Sequence, residues 1–259
     1  MAAHQYILSI AGFDPSSGAG ITSDIKTFEA HGLYGLSVCT AITVQNDVEF
    51  KACIWTDVKV IIAQIETLFN RFDIPVVKIG IVESWAVLSQ IINTLKALNP
   101  HVKIIVDPVF KASAGFYFHT KEHQERLDSI WKQCYVITPN YDEIKSLYPE
   151  LSVEATLERL SQHTNVYLKG GHRADKKGWD QLYHSAIVMV NLQPNVDKVY
   201  EKHGSGCVLA SALASNIALG YLLEDAARLA KSYTEAFLNS SETLLGIHHH
   251  IKKTQHITE

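Results

Sequence analysis

Two glycine-rich segments contain the residue types that bind anions in proteins. Residues 12–20 read GFDPSSGAG, and residues 203–207 read HGSGC. Small residues let backbone N–H groups approach a ligand, and a helix that follows such a turn adds the positive end of its dipole. Neither segment has the spacing of a P-loop or of a dinucleotide fingerprint. Taken alone, residues 12–20 favour an ordinary tight turn between a strand and a helix.

Cys207 is the candidate nucleophile or base. The spacing places it in the first turn of an Ala-rich helix, where we expect the dipole to lower the thiol pKa from its free value of ~8.5. The amides of residues 204–207 would point outward without helical partners and form a cradle for an anion. A small buried cysteine that only fills space fits the position equally well.

Polar residues also lie at the ends of four predicted strands. Asn140 and Glu143 are three residues apart, which suits water-mediated Mg²⁺ binding or a helix cap, and the spacing alone favours the cap. Lys169, before two glycines, suits a phosphate oxygen or a solvated turn, and Asp107 could approach a metal–phosphate group. Gln45 offers a donor and an acceptor that match the edge of a nitrogen heterocycle, although an exposed loop glutamine is the commoner case.

The elements that must position these residues alternate along the chain. The predicted strands are 6–11, 36–44, 76–79, 101–106, 135–138, 166–169 and 182–190. The predicted helices are 21–31, 58–72, 84–98, 121–131, 141–148, 153–163, 205–219 and 223–240. This alternation predicts an α/β fold with a mostly parallel sheet flanked by helices, whose ligands bind beyond the carboxyl ends of the strands. No shift in composition and no Pro- or Ser-rich stretch marks a linker, so we expect residues 1–259 to form a single domain.

The composition excludes several classes of protein. The 259 residues are 47% hydrophobic and 19% charged, which is unlike collagen or a disordered chain. Lys and Arg number 23 against 27 Asp and Glu, a net charge of −4, so we do not expect nucleic-acid binding. No apolar run approaches the ~20 residues that span a bilayer. We read no signal peptide, and four scattered cysteines favour a reducing, cytoplasmic setting.

The order of the motifs resembles that of the hydroxymethylpyrimidine/phosphomethylpyrimidine kinases of thiamine biosynthesis. From residue 6 to 250, the matching segments include AGFDPSSGAG, KIGI, VDPVFKASAG, ITPNYDEI, YLKGGH, HGSGCVLASALA and GIHHH. The first segment and HGSGC are specific, and the others are supportive. The resemblance implies a ribokinase-like three-layer sandwich, ATP and Mg²⁺ as cofactors, a small pyrimidine substrate and a homodimer.

The resemblance also implies a reaction and roles for residues. The γ-phosphoryl group of ATP would go to the hydroxymethyl arm of 4-amino-5-hydroxymethyl-2-methylpyrimidine, and a second turnover would convert the monophosphate to the pyrophosphate. The implied catalytic residues are Gly204, Ser205, Gly206 and the proton acceptor Cys207. The implied pyrimidine pocket contains Gly12, Asp24, Gln45 and Val109. The implied ATP and phosphate ligands are Asp107, Asn140, Glu143 and Lys169, with Asp107 and Glu143 serving Mg²⁺.

This chain departs from the family pattern at several places. Residues 198–202 read KVYEK where small polar residues are usual, and residues 244–246 shorten a Gly-Lys-Gly stretch. Ser205 replaces the commoner Thr and keeps the hydroxyl, and Ile81 replaces a Met that often lines the pocket. We therefore expect altered nucleotide affinity or weak activity. Residues 110–119 and 172–178 are predicted lids.

Two other functions stay open. A pyridoxal kinase of the same fold is one, although Cys207 and the Gln45–Asn46 pair favour the pyrimidine. A pyrimidine sensor without turnover is the other, although the presence of Asp107 and Lys169 favours an enzyme.

Overall fold

The computed structural model describes residues 5–109, 127–171, 177–185, 187–196 and 198–251. Its strands are β1 (Tyr6–Phe13), β2 (Tyr34–Gln45), β3 (Phe50–Trp55), β4 (Val76–Ile79), β5 (Lys103–Val106), β6 (Val136–Ile137), β7 (Asn165–Leu168), β8 (Asp180–His184) and β9 (Ile187–Leu192). Its helices are α1 (Gly20–Ala30), α2 (Val58–Phe69), α3 (Trp85–Leu98), α4 (Leu127–Trp131), α5 (Tyr141–Leu147), α6 (Val153–Ser161), α7 (Ser205–Ala218) and α8 (Leu223–Leu238).

The strands form one sheet in the order β3-β2-β1-β4-β5-β6-β7-β8-β9. The six strands from β2 to β7 in this order are parallel, and β3, β8 and β9 are antiparallel to their neighbours. The carboxyl ends of the parallel strands therefore share one edge, as the strand–helix alternation predicts. Among the residues described, no helix is both long and apolar enough to cross a membrane.

Two features of the sheet differ from expectation. The single strand predicted over 182–190 is wrong, because β8 and β9 form a hairpin in which Leu182 lies opposite Val190. Ser185, with φ of 50°, lies at the turn between β8 and β9. The sequence there contains no Gly or Pro that would have indicated a turn. The edge strand β3 was not predicted, because its sequence FKACIW is mostly apolar but short, and a short apolar run does not distinguish a strand from a helix.

Two hydrophobic cores lie on opposite faces of the sheet. One core packs α2 to α6 against the strands and contains Ile65, Ile91 and Leu160. The other packs α1, α7 and α8 and contains Phe28 and Leu213. This helix–sheet–helix arrangement confirms the predicted three-layer sandwich.

Local sequence signals start the helices where they were expected. Ser84 is the N-cap of α3, and its hydroxyl accepts the Val87 N–H at 3.3 Å. Helix α7 is Ala- and Ser-rich and buried from Val208 to Ala218, so its small side chains let it lie between the sheet and α8. Of the helix predicted over 121–131, the described part is Leu127–Trp131, and the lid prediction over 110–119 falls outside the described residues.

Candidate active site

The start of α7 faces the residues that follow β5 and β7. Gly204, with φ of 75°, is the N-cap of α7, so the amides of the first turn have no partner within the helix. A Cβ atom placed on Gly206 would lie 3.4 Å from Lys169 Nζ and 3.9 Å from Asp107 Oδ2. The fold thus brings the predicted anion cradle, a cation and a carboxylate to one place.

The buried Asp107 and the half-buried Lys169 form an ion pair beside this cradle. Asp107 Oδ1 accepts hydrogen bonds from Lys169 Nζ at 2.8 Å and from the Thr138 hydroxyl at 2.9 Å. Asp107 Oδ2 is buried and has no hydrogen-bond partner among the residues described. Burial alone would raise the pKa of Asp107, but the positive charges of Lys169 and Lys78 hold that pKa below its ordinary value. The free oxygen therefore belongs to an ionised carboxylate.

Asn140 and Glu143 form the cap that their spacing favours. The Asn140 side chain accepts the N–H groups of Asp142 and Glu143, and Glu143 Oε2 accepts the Asn140 N–H at 2.6 Å. Glu143 Oε2 also lies 3.4 Å from Lys169 Nζ. Burial raises the pKa of Glu143 to about 7, with Asp107 adding to the effect and Lys169 opposing it. The cap prediction is confirmed, and a role in metal binding stays a prediction.

Cys207 lies in the first turn of α7 and is partly exposed. The expected lowering of its pKa is wrong. Burial raises the pKa of the thiol to about 11, and the negative charges of Asp24 and Asp107 add to the effect. Lys78 and a hydrogen bond from the Gly20 backbone oppose this shift without overcoming it. The resting group is a thiol, because desolvation outweighs the helix dipole here.

Lys78 is a site residue that sequence reasoning missed. It lies in β4, is fully buried, and contacts the Asp24 oxygens at 2.9 and 3.0 Å. Burial alone would lower the pKa of Lys78, but Asp24, Cys207 and Asp107 hold it above its ordinary value. The available signal was a charged residue inside the otherwise apolar strand sequence VVKI. Lys78 is therefore a permanent positive charge near the thiol.

Asp24, predicted to line the pyrimidine pocket, is fully buried. Its two oxygens accept hydrogen bonds from Lys78 and from the hydroxyls of Ser9 and Ser211, both at 2.6 Å. Its immediate role in the structure is to fix Lys78. Contact between Asp24 and a pyrimidine stays a prediction.

The other predicted pocket residues lie along the same sheet edge. Gly12 is near the end of β1, where an added Cβ atom would stand 2.5 Å from Ile81 Cδ1. Gln45 ends β2, and Val109 follows Asp107 by two residues, both half-buried. Their part in a pyrimidine pocket stays a prediction.

Comparison with known proteins identifies the family. The family model for phosphomethylpyrimidine kinases matches residues 14–252. The chain belongs to the phosphomethylpyrimidine kinase family. A hydroxymethylpyrimidine/phosphomethylpyrimidine kinase from Rhizobium meliloti is 32% identical over 247 residues, which cover 92% of this chain and 91% of that one. Other curated relatives are longer proteins, of which this chain covers less than half.

Solved structures agree with this family and show the fold's wider use. A phosphomethylpyrimidine kinase from Clostridium difficile is 37% identical, with a TM-score of 0.71 and coverage of 88% of this chain and 97% of that one. A Bacillus subtilis pyridoxal kinase in complex with ADP is 25% identical, with a TM-score of 0.80 and coverage of 96% and 98%. The protein is accordingly a phosphotransferase with an α/β kinase fold. Its family and its structural neighbours support ATP as the nucleotide.

Proposed function

We propose that this protein phosphorylates 4-amino-5-hydroxymethyl-2-methylpyrimidine with ATP and then phosphorylates the monophosphate to the pyrophosphate, as in thiamine biosynthesis. The observation that carries the proposal is the convergence of Cys207, the cradle of residues 204–207 and the Asp107–Lys169 pair in a chain of this family. The named relatives support the substrate, because they carry both kinase activities in their names.

In the proposed first step, the hydroxymethyl oxygen forms a bond to the γ-phosphorus while the bond from that phosphorus to ADP breaks. The alcohol proton passes to Cys207 Sγ, which must first have lost its own proton. The amides of residues 204–207 and Lys169 hold the charge that develops on the transferring group, and Lys78 favours the thiolate. Positioning and charge neutralisation supply most of the acceleration, since the transition state is loose.

We propose that Asp107 and Glu143 serve Mg²⁺ and that Asn140 takes part in phosphate binding beside them. The unpartnered Asp107 Oδ2 fits such a role, because Mg²⁺ is usually held by one or two carboxylates, water and the substrate phosphates. The described residues contain no group of three His, Cys, Asp or Glu that could hold a metal, so phosphates and water would complete the site. When bound, the ion would neutralise phosphate charge.

We further propose a single kinase domain that works as a homodimer in the cytoplasm. One sheet joins the described strands from β1 to β9, and the four cysteines are free thiols. Ile42 of β2 lies opposite Ile54 of β3, and Val44 shares their face, with all three strongly exposed. This apolar face is the candidate interface. Light scattering should give twice the monomer mass of 28.9 kDa, and Ile54→Lys should shift the protein to monomer.

Pyridoxal phosphorylation is the second candidate, because the Bacillus subtilis enzyme shares the fold over nearly its whole length. The test is ADP release with the pyrimidine alcohol, its monophosphate and pyridoxal offered separately. We expect the highest kcat/KM for the two pyrimidines. A higher kcat/KM for pyridoxal would contradict the proposal, and ligand-induced thermal stabilisation without ADP release would identify a sensor.

A further inference from the structure

Asp14 and His203 connect the two glycine-rich turns of the site, although they are 189 residues apart in the chain. His203 Nε2 lies 2.9 Å from Asp14 Oδ2, and both side chains are nearly fully buried. Asp14 belongs to the turn after β1, and His203 directly precedes the N-cap of α7. A buried side-chain contact therefore joins the two turns.

The same carboxylate organises its own turn. Asp14 Oδ1 accepts the Ser16 N–H at 2.8 Å, and Oδ2 accepts the Ala19 N–H at 2.9 Å. Burial alone would raise the pKa of Asp14, but the hydrogen bonds from His203, Ala19 and Ser16 hold it below its ordinary value. A charged acceptor thus holds both the shape of residues 14–19 and the imidazole, which makes the contact stronger than a neutral hydrogen bond.

The backbones of the two turns are also in close contact. A Cβ atom on Gly204 would lie 2.0 Å from Gly18 O, and one on Gly18 would lie 2.6 Å from His203 Cδ2. The two glycines permit an approach that any side chain would prevent. His203 Nδ1 is buried without a partner among the described residues. An unpaired buried nitrogen destabilises the folded state, so the surrounding contacts must more than offset this loss to hold the ring in place.

We propose that Asp14 and His203 are a positioning pair that holds the substrate turn of residues 12–20 in register with the phosphoryl cradle of residues 204–207. The inference rests on the proposed function. The acceptor oxygen and the phosphorus must come within ~3–3.5 Å of each other, and a displacement of ~1 Å costs about 10²-fold in rate. Because each ligand keeps its own contacts when the link is broken, the loss falls on kcat rather than on either KM.

The test measures kcat and KM for the pyrimidine alcohol and for ATP, per folded protein, in His203→Ala and His203→Gln. We expect His203→Ala to lower kcat about 10²-fold with both KM values within about threefold of wild type. His203→Gln keeps an N–H donor and should recover most of that loss. The control is His31→Ala, because His31 is also a buried imidazole but lies at the C-terminal end of α1, where its ring meets the Thr27 carbonyl and Tyr233 rather than the cradle. It should change stability and leave kcat per folded protein unchanged.

Asp14→Asn and the double variant Asp14→Asn/His203→Gln extend the test and apply even if His203→Ala does not fold. Residues that act as one unit are not additive, so we expect the double variant to lose little more than the worse single variant. An unchanged kcat in the His203 and Asp14 variants, a loss confined to KM, or full additivity would overturn the inference. Absence of ADP release by the wild-type protein would instead overturn the proposed function, and the inference with it.

Discussion

At the scale of single residues, the chemistry of Cys207 is set by its surroundings rather than by its place in a helix. Its position at the start of α7 favours a thiolate, but burial and two carboxylates raise the pKa to about 11. Lys78 is the neighbouring charge that opposes them. A base of this kind is needed only when the acceptor is an alcohol, because an acceptor phosphate is already an anion.

Replacement of Cys207 should therefore affect phosphorylation of the alcohol more than phosphorylation of the monophosphate. Cys207→Ala should lower kcat for the pyrimidine alcohol about 10²- to 10⁴-fold, the range for a general base, and lower kcat for the monophosphate by about tenfold or less. Steady-state ADP release with each acceptor measures both. Equal losses on the two acceptors would count against a base role for Cys207.

The pH dependence gives a second view of the same thiol. Below a pKa of about 11 the thiolate fraction rises tenfold per pH unit, so kcat/KM for the alcohol should rise with a slope near 1 between about pH 8 and 9.5. Working above pH 8 avoids the ionisation of Glu143, whose pKa is about 7. The monophosphate, and the alcohol with Cys207→Ala, should give flat profiles. A flat profile for the wild-type enzyme with the alcohol would argue that another group takes the proton.

At the scale of elements, the start of α7 depends on a conformation that glycine supplies. Gly204 combines a φ of 75° with a backbone approach to Gly18 that leaves no space for a Cβ atom. The helix that follows is buried from Val208 to Ala218, so it cannot shift to relieve a clash at its start. The cradle is thus fixed by packing on both sides.

Gly204→Ala should accordingly cost ~2 kcal/mol or more of the free energy of unfolding, from the left-handed backbone and the clash together. Denaturant unfolding measures the loss. The matched control is Gly171→Ala, where a Cβ atom meets nothing within 4 Å and φ is not positive. That variant should unfold within ~0.5 kcal/mol of wild type. Similar stability of the two variants would contradict the packing argument.

At the scale of the whole molecule, a buried ion pair holds four elements together behind the site. Asp24 of α1 pairs with Lys78 of β4 and accepts hydrogen bonds from Ser9 of β1 and Ser211 of α7. Two strands and two helices therefore meet at this one carboxylate. Removal of the Asp24 carboxylate would leave the Lys78 charge unpaired in the interior. An unpaired buried charge is strongly destabilising.

Asp24→Ala should destabilise the protein by about 3–5 kcal/mol, as expected when one member of a buried pair is removed. The exposed pair Lys51–Glu49 is the control, and Glu49→Ala should cost less than about 1 kcal/mol. Urea unfolding of both variants decides the matter. A loss at Asp24 no larger than the loss at Glu49 would show that the buried network contributes little.

The sequence by itself determined the fold class, most of the elements and the cap at Asn140. The elements and the cap follow from hydrophobic period and short-range hydrogen bonding, which act between residues close in the chain, and the order of motifs along the chain supports the fold class. The hairpin of β8 and β9 was missed because its turn contains no Gly or Pro. The edge strand β3 was missed because its six residues are too few to show whether an apolar run is a strand or a helix.

Only the tertiary structure decided the electrostatics of the site. The raised pKa of Cys207, the ion pair of Lys78 and the contact of Asp14 with His203 all join residues far apart in sequence. Desolvation and charge–charge energies depend on burial and on distances of a few ångströms between such residues. Neither quantity exists until the chain has folded, so local sequence signals cannot contain it.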